Sequence, residues 1–499
     1  MIFNYKYDFS IVMAYYNRKP QTLRTLIQLQ NLYKSYNYEV IIVDDNSRLE
    51  HQLDNEIKNF TFPINYIKIS KEEKGNRINP CLVYNKGFKA ANGKMVIIQN
   101  PECIHFGDLL GYLKINLTYN NYITFSCYNC PSDEFTKKLL KNINLINDKN
   151  FLKTNNHQHP WHNHPKFRPC HYHFCSGIMN DNLKILGGFN EEFAKGHWYD
   201  DDELLLSIKN CLKLNIQTPD PMKNTVMVVH QWHSGGSFED QKSKERIKLI
   251  NKNKILFEKY KTEYKNSTFQ FPKLLHLYWD GSNFSYLHLL TVLSFKKYHV
   301  GWKINIYCPK NRNKHISWEG NEQKIKYTGE NYINKLKEIS NVNIHYIDTN
   351  LLPFKFKDAS EVIKSDYFRY FILNKYGGIW SDFDIIFTNN IEEYHKKYNN
   401  KKFICYAYQE RNKSFKKFPV AFFIAHKNNS ILNTILKYIN LFYNPRDYQC
   451  LGERMIEILM QNYEKNKGVL KKIINEININ ELIILHANCY LKIKWNELD

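Results

Sequence analysis

The chain has 499 residues, with 70 lysines and arginines against 49 aspartates and glutamates, hence a formal charge of +21. That length exceeds one ordinary core and predicts two domains, and 43% hydrophobic with 15% aromatic residues excludes a disordered chain. The charge favours acidic partners, but no basic stripe interleaved with exposed aromatics, no zinc-finger spacing and no RNA-recognition signature is present, which sets nucleic acid aside.

The N-terminus, MIFNYKYDFSIVMAYYNR, has no basic region leading into an apolar signal core, and nowhere do about 18 apolar residues run together. The expectation is a soluble, cytoplasmic protein with at most peripheral membrane contact. Eleven cysteines, an odd number scattered through apolar segments such as those around Cys211 and Cys405, suit reduced thiols.

Residues 9–14 (FSIVMA) read as a strand, followed by Tyr16-Asn17-Arg18, a helical stretch from Pro20 to about Tyr36, and a second strand over 39–43. That strand ends in Asp44-Asp45-Asn46-Ser47. Strand, helix, strand and acidic tip follow the order of a nucleotide-binding βαβ unit, where tip carboxylates accept hydrogen bonds from a uracil N–H or ribose hydroxyls. From Asn79 to Glu102 the pattern predicts a helix carrying Asn85 and Gly87, a stop at Gly93, and a buried strand over 95–98 that ends in Gln99-Asn100-Pro101-Glu102. Residues 156–175, NHQHPWHNHPKFRPCHYHFC, hold six histidines in a proline-broken loop. CYNC at 127–130 has no second CxxC partner, so a sugar-lining loop is preferred to a zinc site. Trp161 and His162 are its acceptor candidates, and Trp198 is a third, because aromatic faces stack on sugar rings. Gly187-Gly188-Phe189 then precedes Glu191 and Glu192, and Asp200-Asp201-Asp202-Glu203 opens an apolar helix over 204–212. VVHQWH, residues 228–233, supplies His230 and His233, between which the spacing does not choose.

These motifs resemble glycosyltransferase family 2, in which Tyr-Asn-Arg, Val-Asp-Asp-x-Ser and an Asn-x-Gly helix precede a DXD strand, and a GGF turn precedes a Glu-Asp pair. The resemblance implies a GT-A fold, a nucleotide-sugar donor and inversion at the anomeric carbon. It assigns donor contacts to Tyr16, Asn17, Arg18, Asp44, Asp45, Asn85 and Glu102. By register within Asp200, Asp201 and Asp202, the general base is Asp201, which takes the proton of an acceptor hydroxyl too weakly nucleophilic to attack unaided. Glu102 and His230 are the candidates for holding a cation. The sequence departs from the family at QNPE, where one carboxylate stands in place of two.

A lysine-rich helix over 242–264 connects the halves, with Ile247, Ile250, Ile255, Phe257 and Tyr260 as its packed stripe. Beyond it, FPKLLHLYWDG (271–281) and GWKINIYCP (301–309) read as strands. In SDYFRYFILNKYGGIWSDFD (365–384), Val362, Asp366, Arg369, Tyr370 and Leu373 share a helix face that Gly377-Gly378 terminates. The next strand, Ile379 to Ile385, alternates, so Asp382 and Asp384 point the same way at its C-terminal end, where open α/β sheets hold ligands.

This second block resembles the DXD-containing glycosyltransferase family 32. The resemblance implies another GT-A domain, Mn²⁺ or Mg²⁺, retention of configuration with the leaving phosphate assisting, and a UDP-sugar, with GDP-mannose the rival donor. It assigns donor binding to Trp279, Asp366, Arg369, Tyr370, Gly377 and Gly378, and the metal to Asp382, Asp384 and His486. The expected fold class is therefore α/β with two Rossmann-like GT-A domains in tandem, at 1–265 and 270–499. The expected function is bifunctional transfer from nucleotide sugars to a glycan or glycoprotein acceptor. The alternative is a catalytic C-terminal domain beside a decayed carbohydrate-binding or scaffold module.

Overall fold

Two seams of buried β structure organise the chain. The computed structural model describes residues 3–142, 144–145, 161–234, 243–311, 327–354, 356, 359–409, 416–461, 472–473, 476–477, 479–486 and 491–492. They divide into a first unit of residues 4–209 and 213–261, and a second of 262–499 with residues 1–3 and 210–212.

In the first unit, the continuous apolar runs of β1 (Tyr7–Tyr15) and β2 (Tyr38–Asp44) are buried on both faces, as central parallel strands require. With β3 (Ile64–Lys68), β4 (Gly93–Gln99), β6 (Asn121–Thr124), β9 (Cys175–Met179) and β10 (Asn215–Gln217) they form a seven-stranded sheet in the order β10-β6-β9-β4-β1-β2-β3. β1 runs parallel to β2 and β4, and β9 runs antiparallel to β4. A smaller sheet, β5-β11-β7-β8, is made of β5 (Cys103–Phe106), β7 (Cys127–Asn129), β8 (Trp161–Asn163) and β11 (Met227–His230).

Helix α1 covers Lys19–Leu32 and α2 covers Cys81–Ala90. Gly93 does not stop α2 but begins β4, where an added Cβ would collide with the backbone of Phe9 and Ser10. Helix α3 (Asp200–Asn210) starts at the first residue of the acidic cluster, four residues before the expected start. The connecting helix α4 (Lys244–Asn266) buries Asn253, Phe257, Tyr260 and Tyr264, whereas Ile247 and Ile255 are 44% and 74% exposed. Of the expected stripe Phe257 and Tyr260 are buried, while Ile247 and Ile255 are not and Asn253 and Tyr264 are buried instead.

The second unit is built on β14 (Val342–Ile347), β13 (Lys303–Pro309), β12 (Leu274–Tyr278), β15 (Gly378–Ser381), β19 (Phe422–Ala425), β17 (Phe403–Gln409) and β18 (Lys416–Lys417), adjacent in that order, with β20 (Leu482–His486) pairing β17. The expected strand over 379–385 is broken. β15 stops at Ser381, Asp382-Phe383-Asp384 forms a turn, and β16 (Ile385–Ile386) resumes against β21 (Leu491–Lys492). Phe383 drives that break by anchoring among Trp279, Phe284 and His288. Helix α5 (Glu361–Tyr376) buries Asp366, Arg369, Tyr370 and Leu373, and leads into β15 through Gly377 (φ 70°) and Gly378 (φ 99°). The chain is thus mixed α/β with Rossmann-like sheets in both units, the expected class. Among the described residues no helix is long and apolar enough to cross a membrane.

Candidate active site

The end of β4 and the end of β11 converge in the first unit. Glu102 sits in the tight turn from Asn100 to Cys103 that links β4 to β5, and His230, the last residue of β11, pairs across to Cys103 of β5. His230 Nε2 lies 3.2 Å and His233 Nε2 3.4 Å from Glu102 Oε1. On a continuing strand, residues three apart face opposite ways; here the strand ends at His230, which lets His233 return to the same point. Among the described residues this is the one group of three ligand-type side chains close enough to share an ion. Ligands about 2.1 Å from a cation stand roughly 3.0–3.4 Å apart, so the separations fit a divalent metal. The Nδ1 atoms of both histidines are buried with no hydrogen-bond partner. Burial opposes ionisation of Glu102, but the two histidines outweigh it and hold its carboxyl well below the usual range.

His162 stacks on Phe174 at 4.8 Å and meets His230 edge-on at 5.0 Å, so it borders this cluster. Burial, with a smaller contribution from the neighbouring His230, pushes it down to about 3 and keeps the ring neutral. Trp161 is half-buried against Tyr128 and His164. Trp198 is half exposed and left-handed (φ 62°), its carbonyl held by Asn253 Nδ2 at 2.8 Å. The structure brings His162 to the cluster and leaves Trp198 on the loop that enters the acidic helix.

At the start of α3, the three aspartates have three different partners. Asp200 is buried and accepts from Asn79 Nδ2 at 3.0 Å. Burial and the adjacent Asp201 charge push it up to about 7. Asp201 keeps 34% of its side chain exposed and pairs with His173 Nδ1 at 2.8 Å. Asp202 accepts from the Tyr172 hydroxyl at 3.0 Å. Tyr84 lies in the field of both Glu102 and Asp201, with its hydroxyl bonded to Gln99 O and Asn100 Oδ1, so the two carboxylate centres flank one buried ring.

At the C-terminal ends of the central strands β1 and β2, next to β4 in the sheet, the Tyr16-Asn17-Arg18 loop is clipped to the acidic tip. Asn17 N–H donates to Ser47 Oγ at 3.0 Å, and Arg48 N–H to Asn17 Oδ1 at 2.9 Å. Asp44 is consumed internally by the Ser47 N–H and the Tyr66 hydroxyl. Asp45 pairs with Arg77 and, at 3.3 Å, with Lys74, which also sits 3.5 Å over the exposed Tyr16 ring. Arg18 Nη1 donates to the neighbouring Asn17 carbonyl at 3.4 Å. Asn85 is engaged within the protein: its amide donates to Phe189 O and Glu191 Oε1 and accepts from Phe189 N–H, bracing the GGF turn. His173, Lys74 and Arg77, which the motifs did not single out, pair with Asp201 and Asp45, and His233, left open against His230, joins it at Glu102.

In the second unit, Arg369 organises the DXD turn. It pairs with Asp366 at 2.7 Å, approaches Asp382 at 3.7 Å, donates to Val420 O and lies 5.1 Å over Trp380. The Trp380 indole N–H donates to Asp382 Oδ1 at 3.0 Å. Burial pushes Asp366 up to about 7, with Arg369 opposing and Asp382 adding. Asp384 is half-buried in the same turn. Tyr370 donates to Leu451 O at 3.0 Å, and Trp279 donates its indole N–H to Ser282 O at 2.8 Å, so both are engaged with protein backbone. Gly377 and Gly378 are required by crowding, since an added Cβ would strike Lys427 N and Leu274 O respectively. His486 ends β20, paired with Ala407; its side chain lies outside the described residues.

Residues 10–179 match the family model Glycosyl transferase family 2, and residues 322–499 match the model Capsular polysaccharide synthesis protein. The second match is coarser than the family 32 resemblance. A comparison with curated proteins found no match. Solved structures similar to the chain include a mannosyltransferase from Pyrobaculum calidifontis in complex with GDP-Man and Mn²⁺, at 14% identity and TM-score 0.30, covering 46% of this chain and 59% of that one. Another is S. aureus TarS 1–349 in complex with UDP-GlcNAc, at 13% identity and TM-score 0.32, covering 48% and 64%. The chain spans less than two thirds of each, and neither similarity is high enough to bear on its chemistry. The N-terminal region is, from its family model and its sheet, a family 2 glycosyltransferase domain of the GT-A fold.

Proposed function

We propose that the chain is a bifunctional glycosyltransferase using nucleotide-sugar donors, with UDP-sugars first in order, and a glycan acceptor. The observation that carries this reading is the meeting of Glu102, His230 and His233 beside the acidic start of α3. A single carboxylate at QNPE is a poor metal site alone; with two imidazoles it offers three ligands that would hold a divalent cation, which supports an active first domain over a decayed one. A divalent cation held there supplies charge neutralisation for a leaving nucleoside diphosphate. Asp201, partly exposed where Asp200 is buried, accepts the proton of the acceptor hydroxyl, while burial and the adjacent Asp201 raise Asp200 to about 7, so that the pair resists carrying two adjacent charges. The outcome is inversion.

The second unit acts as a retaining transferase of family 32 type. Asp382 and Asp384, with His486 as third ligand, hold Mn²⁺ or Mg²⁺, and Arg369 fixes Asp382 and Asp366 toward the donor. The test is a panel of nucleotide sugars scored for Mn²⁺-dependent release of nucleoside diphosphate by the full chain, by Glu102→Gln and by Asp382→Ala. Each variant is expected to lose part of the activity, on different donors or acceptors. Release unchanged in both variants overturns the site assignments.

A further inference from the structure

His173 lies fully within the first unit, 7% exposed, on the segment leading into β9. Its ring is boxed edge-on by Tyr84 at 5.2 Å and by Phe189 at 5.0 Å, and its Nδ1 is 2.8 Å from Asp201 Oδ1. Tyr84 is itself fixed through its hydroxyl to the Gln99–Asn100 backbone and side chain, and Phe189 is the residue braced by Asn85. The imidazole therefore has one orientation, aimed at one carboxylate oxygen. No other ion pair or side-chain hydrogen bond among those described engages Asp201; Asn79 takes Asp200 and Tyr172 takes Asp202.

We propose that His173 is a positioning residue for proton transfer, holding Oδ1 of Asp201 so that its second oxygen is presented to the acceptor hydroxyl. The proposal rests on the reading of Asp201 as general base. In the step concerned, the acceptor oxygen bonds to the anomeric carbon, the bond from that carbon to the diphosphate oxygen breaks with its electron pair leaving on the diphosphate, and the hydroxyl proton passes to the second oxygen of Asp201. His173 gains and loses nothing. The charged and titratable groups facing it are Asp200 and Asp201 from α3 and Tyr84 from α2, with Tyr172 beside it in sequence. Burial works against a charge on His173, but Asp201 and Asp200 outweigh it and raise the imidazole above its ordinary value.

The experiment uses the full-length chain carrying Asp382→Ala, to silence the second unit, with UDP-glucose, UDP-GlcNAc and GDP-mannose as probes, Mn²⁺ present and water as the acceptor. His173→Leu is expected to lower kcat about 10- to 100-fold with the KM for nucleotide sugar unchanged, the size expected for a lost charge-assisted contact. His173→Asn, whose amide N–H falls near the Nδ1 position, recovers most of that loss, and its acidic limb in kcat/KM against pH moves to higher pH because a neutral amide has replaced a cation. His173→Gln, whose amide falls near Nε2, does not recover it and stands in for the Leu variant should that fail to fold. The positioning role is overturned if loss-of-contact variants stay within about twofold of wild type, or if Asn and Gln are equally impaired. Asp201→Asn separates the two readings: wild-type turnover there sinks the base itself, whereas a dead Asp201→Asn beside a fully active His173→Leu sinks only His173. A wild-type chain that releases nothing from any probe overturns the reading on which the proposal stands.

Discussion

Replacing Asn85 with Ala should unfold the first unit early without touching donor affinity. The side chain is 3% exposed and makes three of the four hydrogen bonds an amide can make, all to the turn at Phe189 and Glu191. Truncation strands both the N–H and the C=O of Phe189, itself buried, and each orphaned group costs about 1–3 kcal/mol, for a sum of about 4 kcal/mol. Asn85→Asp is expected to fare no better, because a carboxylate keeps the acceptor for the Phe189 N–H but confronts the Phe189 carbonyl and the Glu191 carboxylate. Gly188 (φ 74°), where an added Cβ would overlap Asn85 Oδ1, belongs to the same joint. Urea unfolding of the full chain, followed through the transition of the first unit, gives the loss; initial rates against nucleotide-sugar concentration give KM. A loss under about 1 kcal/mol refutes the bracing role. Normal stability with a raised KM would return Asn85 to the donor.

Asp200 and Gly378 test the two sites from other directions. The folded pKa of Asp200, about 7, lies above the unfolded value near 3.9, so the native state holds a proton that the unfolded chain has released between those values. Its contribution is therefore intact below about pH 4 and is lost as pH rises toward 7; Asp200→Asn should narrow the fall in melting temperature of the first unit across that window, and an unchanged pH profile counts against the burial argument. Gly378→Ala should cost more than about 2 kcal/mol in the second unit, since φ of 99° and the Leu274 carbonyl both oppose a side chain. A neutral melt would show that the β12–β15 contact yields.

The elements most legible in the sequence were those whose burial is simple. β1 and β2 are apolar on both faces, so their runs announce central strands wherever the rest of the chain goes. The acidic cluster was legible because carboxylates at a helix N-terminus suit the dipole and are sparse elsewhere in the motif. What failed was phase. Alternation continues through Ile379–Ile385, yet the chain turns at Asp382 because Phe383 gains more from the Trp279–Phe284–His288 cluster than from continuing a strand. In α4 the expected Phe257 and Tyr260 are buried, but Ile255 is left out while Tyr264 is buried, larger rings burying more surface than an isoleucine. For His233 the sequence offered a choice with His230 that it could not settle, and His173 was not singled out at all: the partner of each, Glu102 for one and Asp201 for the other, lies more than 25 residues away. The His-Gln-Trp-His spacing contradicted a common face until the strand end at His230 was known.

The central claim, that Glu102, His230 and His233 form the metal centre of the first transferase, is tested most directly by Mn²⁺ binding. Electron paramagnetic resonance titration of the full chain carrying Asp382→Ala and Asp384→Ala should count one bound Mn²⁺, weakened at least about tenfold by His233→Ala or by Glu102→Gln. Binding in His233→Ala that matches the parent would contradict the claim and leave Glu102 the lone carboxylate its strand end presents.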